Sequence, residues 1–122
     1  MQTNSTRFVG SNSEQAAVDF LIQAGYEIIE RNFYCRYGEL DIIARKAGEL
    51  AFIEVKSIIR QPEVSIYELL LPHKLLRLER SIDYWLVANN LLNYPWHFEF
   101  IGIILNEKYA VVGIEHIPNP EL

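Results

Sequence analysis

Residues 38–44 read Gly-Glu-Leu-Asp-Ile-Ile-Ala and, after a short polar turn, residues 52–56 read Phe-Ile-Glu-Val-Lys. Both runs have the apolar, β-branched composition of central strands. Yet each places ionisable groups where core residues are expected: Asp41 in the first, Glu54 and Lys56 in the second. A charge withdrawn from water is costly unless it is paired, hydrogen-bonded or bound to a metal. These two strands therefore carry both the fold and the candidate chemistry.

Side chains alternate faces along a strand, so Phe52, Glu54 and Lys56 share one face, while Ile53 and Val55 share the other. A four-residue connector, Lys46-Ala47-Gly48-Glu49, has hairpin length and a glycine, and puts Arg45 opposite Leu50. In that register Asp41 falls opposite Glu54. Opposed side chains on one face are about 5 Å apart at the β-carbon, so the two carboxylates repel and one pKa is expected to rise. A divalent cation removes that penalty. Magnesium takes one or two carboxylates, waters and substrate phosphate oxygens, and Lys56 stands next along the face to meet a phosphate or orient water. For acid-x-lysine alone, an ion pair at a sheet edge is an adequate account. The interruption of two apolar strands favours the metal-dependent reading.

Working outward, Ala17, Val18, Leu21 and Ala24 form an apolar helical stripe that Gly25 ends, with Glu14 in line with it. Ser11 and Glu14 have capping-box spacing, which predicts a helix starting near residue 11 after a frayed segment 1–10. Glu14 thus has two candidate roles, cap and site acid. Strands are expected over 26–33, 38–44 and 50–58, then a loop or short helical piece to Leu71. Pro72 opens a long helix to Asn89, carrying Leu75, Leu78, Ile82, Trp85 and Leu86. Strands 97–105 and 109–117 follow, and Pro118-Asn119-Pro120 leaves 118–122 as a tail. The αβββαββ order predicts an α/β domain. Three hairpin-linked strands and a crossover helix give a mixed five-stranded sheet with a helix on each face.

The chain has 122 residues, 50% of them hydrophobic, which fits one domain with a real core. Its start is polar, and no run approaches the roughly 20 apolar residues of a membrane span. One cysteine, Cys35, excludes an internal disulfide and has no local histidine to activate it. A reduced, cytoplasmic, soluble protein is expected, with no membrane partner. The net charge of −5 argues at first against nucleic acid. Between Arg31 and Arg80, however, nine basic residues face seven acids, against two and nine elsewhere. The motif-bearing segment is the basic part of an acidic chain, although plain scatter over a solvated surface gives the same count.

The two runs together resemble the signature of the bacterial YraN family of predicted endonucleases. That family belongs to the PD-(D/E)xK, restriction-endonuclease-like superfamily and is similar to archaeal Holliday junction resolvases. Supporting matches are Glu14-Gln15-Ala16-Ala17, Gly25-Tyr26, Arg31-Asn32-Phe33, Lys74, His116-Ile117 and Asn119. The resemblance implies a restriction-endonuclease-like fold. It also implies Asp41 and Glu54 as metal ligands completed by the Val55 carbonyl, Lys56 as catalytic lysine and Glu14 as a further acid of the site. Mg2+ or Mn2+ is the implied cofactor, DNA the implied substrate, branched or damaged, and a homodimer the implied assembly. The chain departs from the pattern at Ser13 (usually glycine), at Ser57-Ile58 (threonine-arginine) and at His97-Phe98-Glu99 (arginine-phenylalanine-aspartate).

Lys74, Arg77 and Ser81 share a side of the long helix with Arg80 close by. They are candidate phosphate contacts, as are Arg60 and Ser57 beyond the lysine. A solvated basic face is the plainer account of the helix positions other than Lys74. Tyr34 and Tyr37, beside Arg36, can stack on bases or simply pack against the sheet. His73, His97 and His116 are too scattered in sequence for a zinc site, and His116 reads as a satisfied strand-end residue. The preferred function is a metal-dependent endonuclease acting on DNA. The alternative is a catalytically weak or inactive nuclease-fold module that binds nucleic acid or a repair or replication protein.

Overall fold

The computed structural model describes residues 2–59 and 72–118, with side chains from 12 to 59 and from 78 to 118. Its elements run α1 (Gln2–Gln23), β1 (Glu27–Cys35), β2 (Gly38–Lys46), β3 (Glu49–Ile59), α2 (Pro72–Ala88), β4 (Trp96–Leu105) and β5 (Val111–Ile117). The five strands form one sheet in sequential order. All neighbours are antiparallel except β3 and β4, which are parallel across the α2 crossover. The expected αβββαββ order and mixed sheet are thus observed. The segment 61–71, expected as a loop or short helical piece, lies outside the described residues.

A helix covers each face because the strands alternate. On one face Ala17, Val18 and Leu21 of α1 pack on Ile42, Ala44, Ala51, Ile53, Ile101 and Ile103. On the other, Ile82, Trp85 and Leu86 of α2 pack on Leu40, Ile43, Leu50 and Phe52. Trp85 satisfies its indole N–H by donating to Glu30 Oε1 at 2.9 Å, which ties α2 to the edge strand β1. Both helices close in the same way. Gly25 (φ +93°) and Asn90 (φ +57°) take the left-handed position after the last turn. Tyr26 N–H then returns to Leu21 O at 2.9 Å, and Leu91 N–H to Leu86 O at 2.8 Å. No described helix is long and apolar enough to cross a membrane.

One expectation is corrected at α1. The helix begins at Gln2, so Ser11 and Glu14 stand inside it rather than at its start. The capping-box spacing is real, but Glu14 has no free helix end to cap. A structural reading of that carboxylate is thereby removed.

The β2–β3 hairpin holds the expected register, Arg45 opposite Leu50 and Ile42 opposite Ile53, through a tighter turn. Lys46 pairs with Glu49, leaving only Ala47 (φ +53°) and Gly48 (φ +78°) in the loop. Two positive φ values mark the primed turn that matches strand twist, and Asn-Gly is its preferred filling. Ala47 carries a β-carbon into a region that costs an ordinary residue roughly 1 kcal/mol. Ala47→Asn is therefore expected to stabilise the protein by about 0.5–1 kcal/mol. A higher urea midpoint with an unchanged slope would show it. An unchanged or lower midpoint would refute the strain at this turn.

Candidate active site

Asp41 sits where β2 and β3 part. Their ladder runs from Lys46↔Glu49 to Ile42↔Ile53 and goes no further, although its extension puts Asp41 opposite Glu54. In place of the next backbone bond, Val55 N–H donates to Asp41 Oδ2 at 2.8 Å. β3 stays paired with β4 as far as Ile59↔Leu105, so only its β2-facing edge is released. The N–H and C=O of one strand residue project to the same edge. The Val55 carbonyl therefore belongs to the same opened gap as its N–H.

Glu54, next to Val55, also lines a pocket of about 230 Å3 with Tyr37, Gly38, Glu39, Lys56, Leu78 and Ser81; Asp41 and Val55 are not in that lining. Glu54 and Lys56 lie on the α2 face, as their alternation with Ile53 and Val55 requires, with Lys56 Nζ 3.4 Å from Glu54 Oε1. Gly38 has φ +143°, a conformation that side chains rarely adopt, while a β-carbon there would meet Ser81 Oγ at an ordinary 3.7 Å, so the backbone turn into β2 rather than lack of space calls for glycine. Ser81 is itself buried and within 3.6 Å of Cys35 Sγ. It is a pocket wall rather than an exposed phosphate contact.

The electrostatics are those of crowded anions. Burial, then the Glu54 charge, push the Asp41 carboxyl up to about 8, against the lowering effect of the Val55 N–H; Glu39 and Glu14 add to the rise. Glu14 projects from mid-α1, its side chain 15% exposed, with Oε1 3.6 Å from Arg31 Nε. Among the described residues both atoms lack a hydrogen bond of good geometry, and at 3.6 Å the contact is an ion pair rather than a hydrogen bond. Burial raises the Glu14 pKa although Arg31 and Asn32 oppose it. Asn32, next to Arg31 and across from Asp41 in the β1–β2 register, has φ +54°, so the sheet is distorted on both sides of Asp41.

Asp41 thus feels both Glu54, which Lys56 pairs with on the α2 face, and Glu14, which projects from α1 on the opposite side of the sheet. Ser57 falls on the α1 face with Ile53 and Val55, away from the Lys56 side chain. Arg60 and the side chains of Lys74, Arg77 and His73 lie outside the described residues. Arg80 is exposed on α2. Tyr37 packs on Tyr84 at 6.4 Å, while Tyr34 is exposed.

Among the described residues, no three His, Cys, Asp or Glu side chains are grouped to hold a metal ion. The donors that fit one are two carboxylates, Asp41 and Glu54, with the Val55 carbonyl. That short set suits a hard cation that keeps several waters. A carboxyl held neutral up to about pH 8 by burial and by the Glu54 charge is also one that a bound cation would ionise.

Sequence reasoning missed a second polar cluster, on the α1 face toward the start of β3 and β4, with Glu99 beside Ile53. Glu99 is 1% exposed, and Tyr26 Oη donates to both its oxygens at 3.0 Å. His116 Nε2 lies 2.5 Å from Oε1, and His97 Nε2 contacts Oε2. His97 Nδ1 meets Glu49 Oε1 at 2.7 Å. The histidines are distant in sequence, but β4–β5 pairing sets Ile101 against His116 and brings the rings together. The one sequence signal was the two-residue spacing of His97 and Glu99, which puts them on one strand face.

The sequence profile of UPF0102, described as an uncharacterised protein family, matches residues 13–112. A UPF0102 protein of Pelobacter propionicus is 40% identical over 119 residues, covering 93% of this chain and 81% of the relative. One from Caldicellulosiruptor saccharolyticus is 34% identical over 113 residues, covering 93% and 96%. Another, from Neisseria meningitidis serogroup C, is 36% identical over 94 residues, covering 77% and 82%. The matched span takes in Glu14, Asp41, Glu54 and Lys56 together, and on that coverage the chain belongs to the UPF0102 family.

Proposed function

We propose that this protein is a metal-dependent endonuclease that hydrolyses phosphodiester bonds in DNA. The observation that carries the reading is the opened β2–β3 edge, where Asp41 and Glu54 crowd together with Lys56 beside them. The resemblance of the two motif runs to the restriction-endonuclease-like superfamily supports it. Asp41, Glu54 and the Val55 carbonyl would hold Mg2+ or Mn2+. Such an ion supplies charge stabilisation on the phosphoryl oxygens and a more acidic water. Lys56, partly solvated at the pocket mouth, would leave Glu54 to meet a non-bridging phosphate oxygen or orient the attacking water. Glu14, held by Arg31 and removed from any capping duty, would keep the local field negative and so favour cation uptake.

The test is hydrolysis of linear, nicked and four-way DNA by purified protein with Mg2+ or Mn2+. Wild type is expected to cleave at least one of these substrates. Asp41→Ala, Glu54→Ala and Lys56→Ala should each lose roughly 10²–10³-fold or more, the usual cost of deleting one group that stabilises transition-state charge. Cleavage that survives in the Asp41 and Glu54 variants would place the activity elsewhere and defeat the proposal. Metal-independent DNA binding without cleavage would favour the nuclease-fold binding module instead.

A further inference from the structure

A larger concavity adjoins the candidate pocket. It encloses about 510 Å3 between the β1–β2 turn and α2, lined by Tyr37, Arg80, Asp83, Tyr84, Val87 and Ala88. Tyr37 lines both spaces, so the groove and the Lys56 pocket share one aromatic wall. Tyr84 is 47% exposed although it packs on two rings: Tyr37 at 6.4 Å and 66°, and Phe33 at 6.1 Å. Arg36 Cζ lies 5.1 Å over the other ring of the pair, Tyr37. The floor is therefore aromatic and aliphatic, braced from behind. Its rim carries one fixed cation, Arg80, and one acceptor-only group, Asp83.

A flat π-system with donors on its edge matches that surface. Resting on the nuclease reading for where the phosphate lies, the occupant next to a phosphodiester in the Lys56 pocket is its own nucleobase. In a duplex the faces of that base are already stacked on neighbours and cannot reach tyrosine. In a single strand, flap, bulge or loop they are free, and base–aromatic stacking is then strong and tolerant of sequence. We propose that the groove lined by Tyr37 and Tyr84 binds an unpaired base, stacked on the exposed Tyr84 ring, flanking the bond to be cut. The substrate class is then DNA with an unpaired nucleotide at the scissile position rather than intact duplex. Arg80 meets the adjoining phosphate, and Asp83 accepts from an amino group on the base edge.

Fluorescence anisotropy with wild-type protein in Ca2+ can test this, using three labelled probes. They are a duplex with a short flap, the same flap with an abasic nucleotide at the junction, and a fully paired duplex. Wild type should bind the base-bearing flap roughly 5- to 100-fold more tightly than the abasic one, the range expected for one stacked base. Tyr84→Ala should lose that preference while binding paired duplex as before, and Tyr84→Trp should keep it. Equal affinity for base-bearing and abasic flaps, or an undiminished preference in Tyr84→Ala, would overturn the proposal. Parallel hydrolysis with Mn2+ separates the two readings. Cleavage with no base preference leaves the nuclease and removes the base site, whereas a base preference with no cleavage of any probe does the reverse.

Discussion

Asp41→Asn is expected to make the metal-free protein more stable at pH 8 while abolishing its response to divalent cations. The side-chain amide oxygen of that variant would still accept the Val55 N–H bond now made at 2.8 Å, so the backbone geometry at the strand gap survives. What disappears is a half-buried titrating group crowded by Glu54. The sign follows from proton binding. Unfolded, the carboxyl titrates near its ordinary 3.8; folded, burial and Glu54 push it up to about 8. Between those values the folded state binds more protons than the unfolded state, so stability falls as pH rises through the window. A tenfold change in proton affinity is about 1.4 kcal/mol, so even half of that separation gives the variant roughly 3 kcal/mol at pH 8.

In a domain of this size, 3 kcal/mol is on the order of 10 °C in Tm. Wild type should recover much of the difference when Mg2+ or Mn2+ is added, by about 2.7 kcal/mol at one hundred times Kd, because only the folded state assembles the ligands. The variant should not respond. Thermal melts at pH 5 and pH 8, with and without Mn2+, check both halves. A variant less stable than wild type at pH 8 without metal, or one whose Tm still climbs with Mn2+, would show that Asp41 is neither the strained group nor the ligand.

Much of this site was legible in the sequence because strand geometry is rigid. Alternation fixed Glu54 and Lys56 on one face, and a hairpin connector four residues long fixed Asp41 against Glu54. The observed ladder keeps that register as far as Ile42↔Ile53, one step short of Asp41, even though the loop itself is two residues shorter. The departures come from features that local pattern does not encode. The poor alternation of β1 reflects a register shift between Ile28 and Glu30, which turns Ile29 outward to 40% exposure. The Ser11–Glu14 spacing imitates a helix start because a capping box is a four-residue signal. Helix length, here beginning at Gln2, depends on residues beyond it. The gap between β2 and β3 arises from a side chain replacing a backbone acceptor, and only the folded register makes that replacement visible.

The Glu99 cluster was illegible for the opposite reason: its members are spread along the chain and meet only across the folded sheet. It carries the largest stability effect expected here. Glu99 is the shared partner of Tyr26, His97 and His116, buried among them, and Glu49 closes the far side of His97. Burial disfavours the charged imidazole, but the bonds to Glu99 and Glu49 outweigh it and hold the His97 pKa above its ordinary value. That contribution is fully present below the unfolded histidine pKa of 6.5 and is lost as pH rises through the higher folded value. Glu99→Ala removes the anion and leaves three polar groups facing a void. Breaking a buried pair from one side costs about 3–5 kcal/mol, a large share of the roughly 5–15 kcal/mol that holds a domain together. Glu99→Gln keeps volume and one acceptor, and should lose about 1–3 kcal/mol, the penalty for a buried donor without a partner. Urea unfolding followed by the fluorescence of buried Trp85 reads both, and the loss in Glu99→Ala should shrink as pH rises above 6.5 and His97 gives up its charge. Because the cluster sits on the α1 face, away from the Lys56 pocket, Glu99→Gln should keep the Mn2+-dependent rise in Tm. A loss below about 1 kcal/mol in Glu99→Ala would mean that water replaces the carboxylate freely and that the cluster contributes little to the fold.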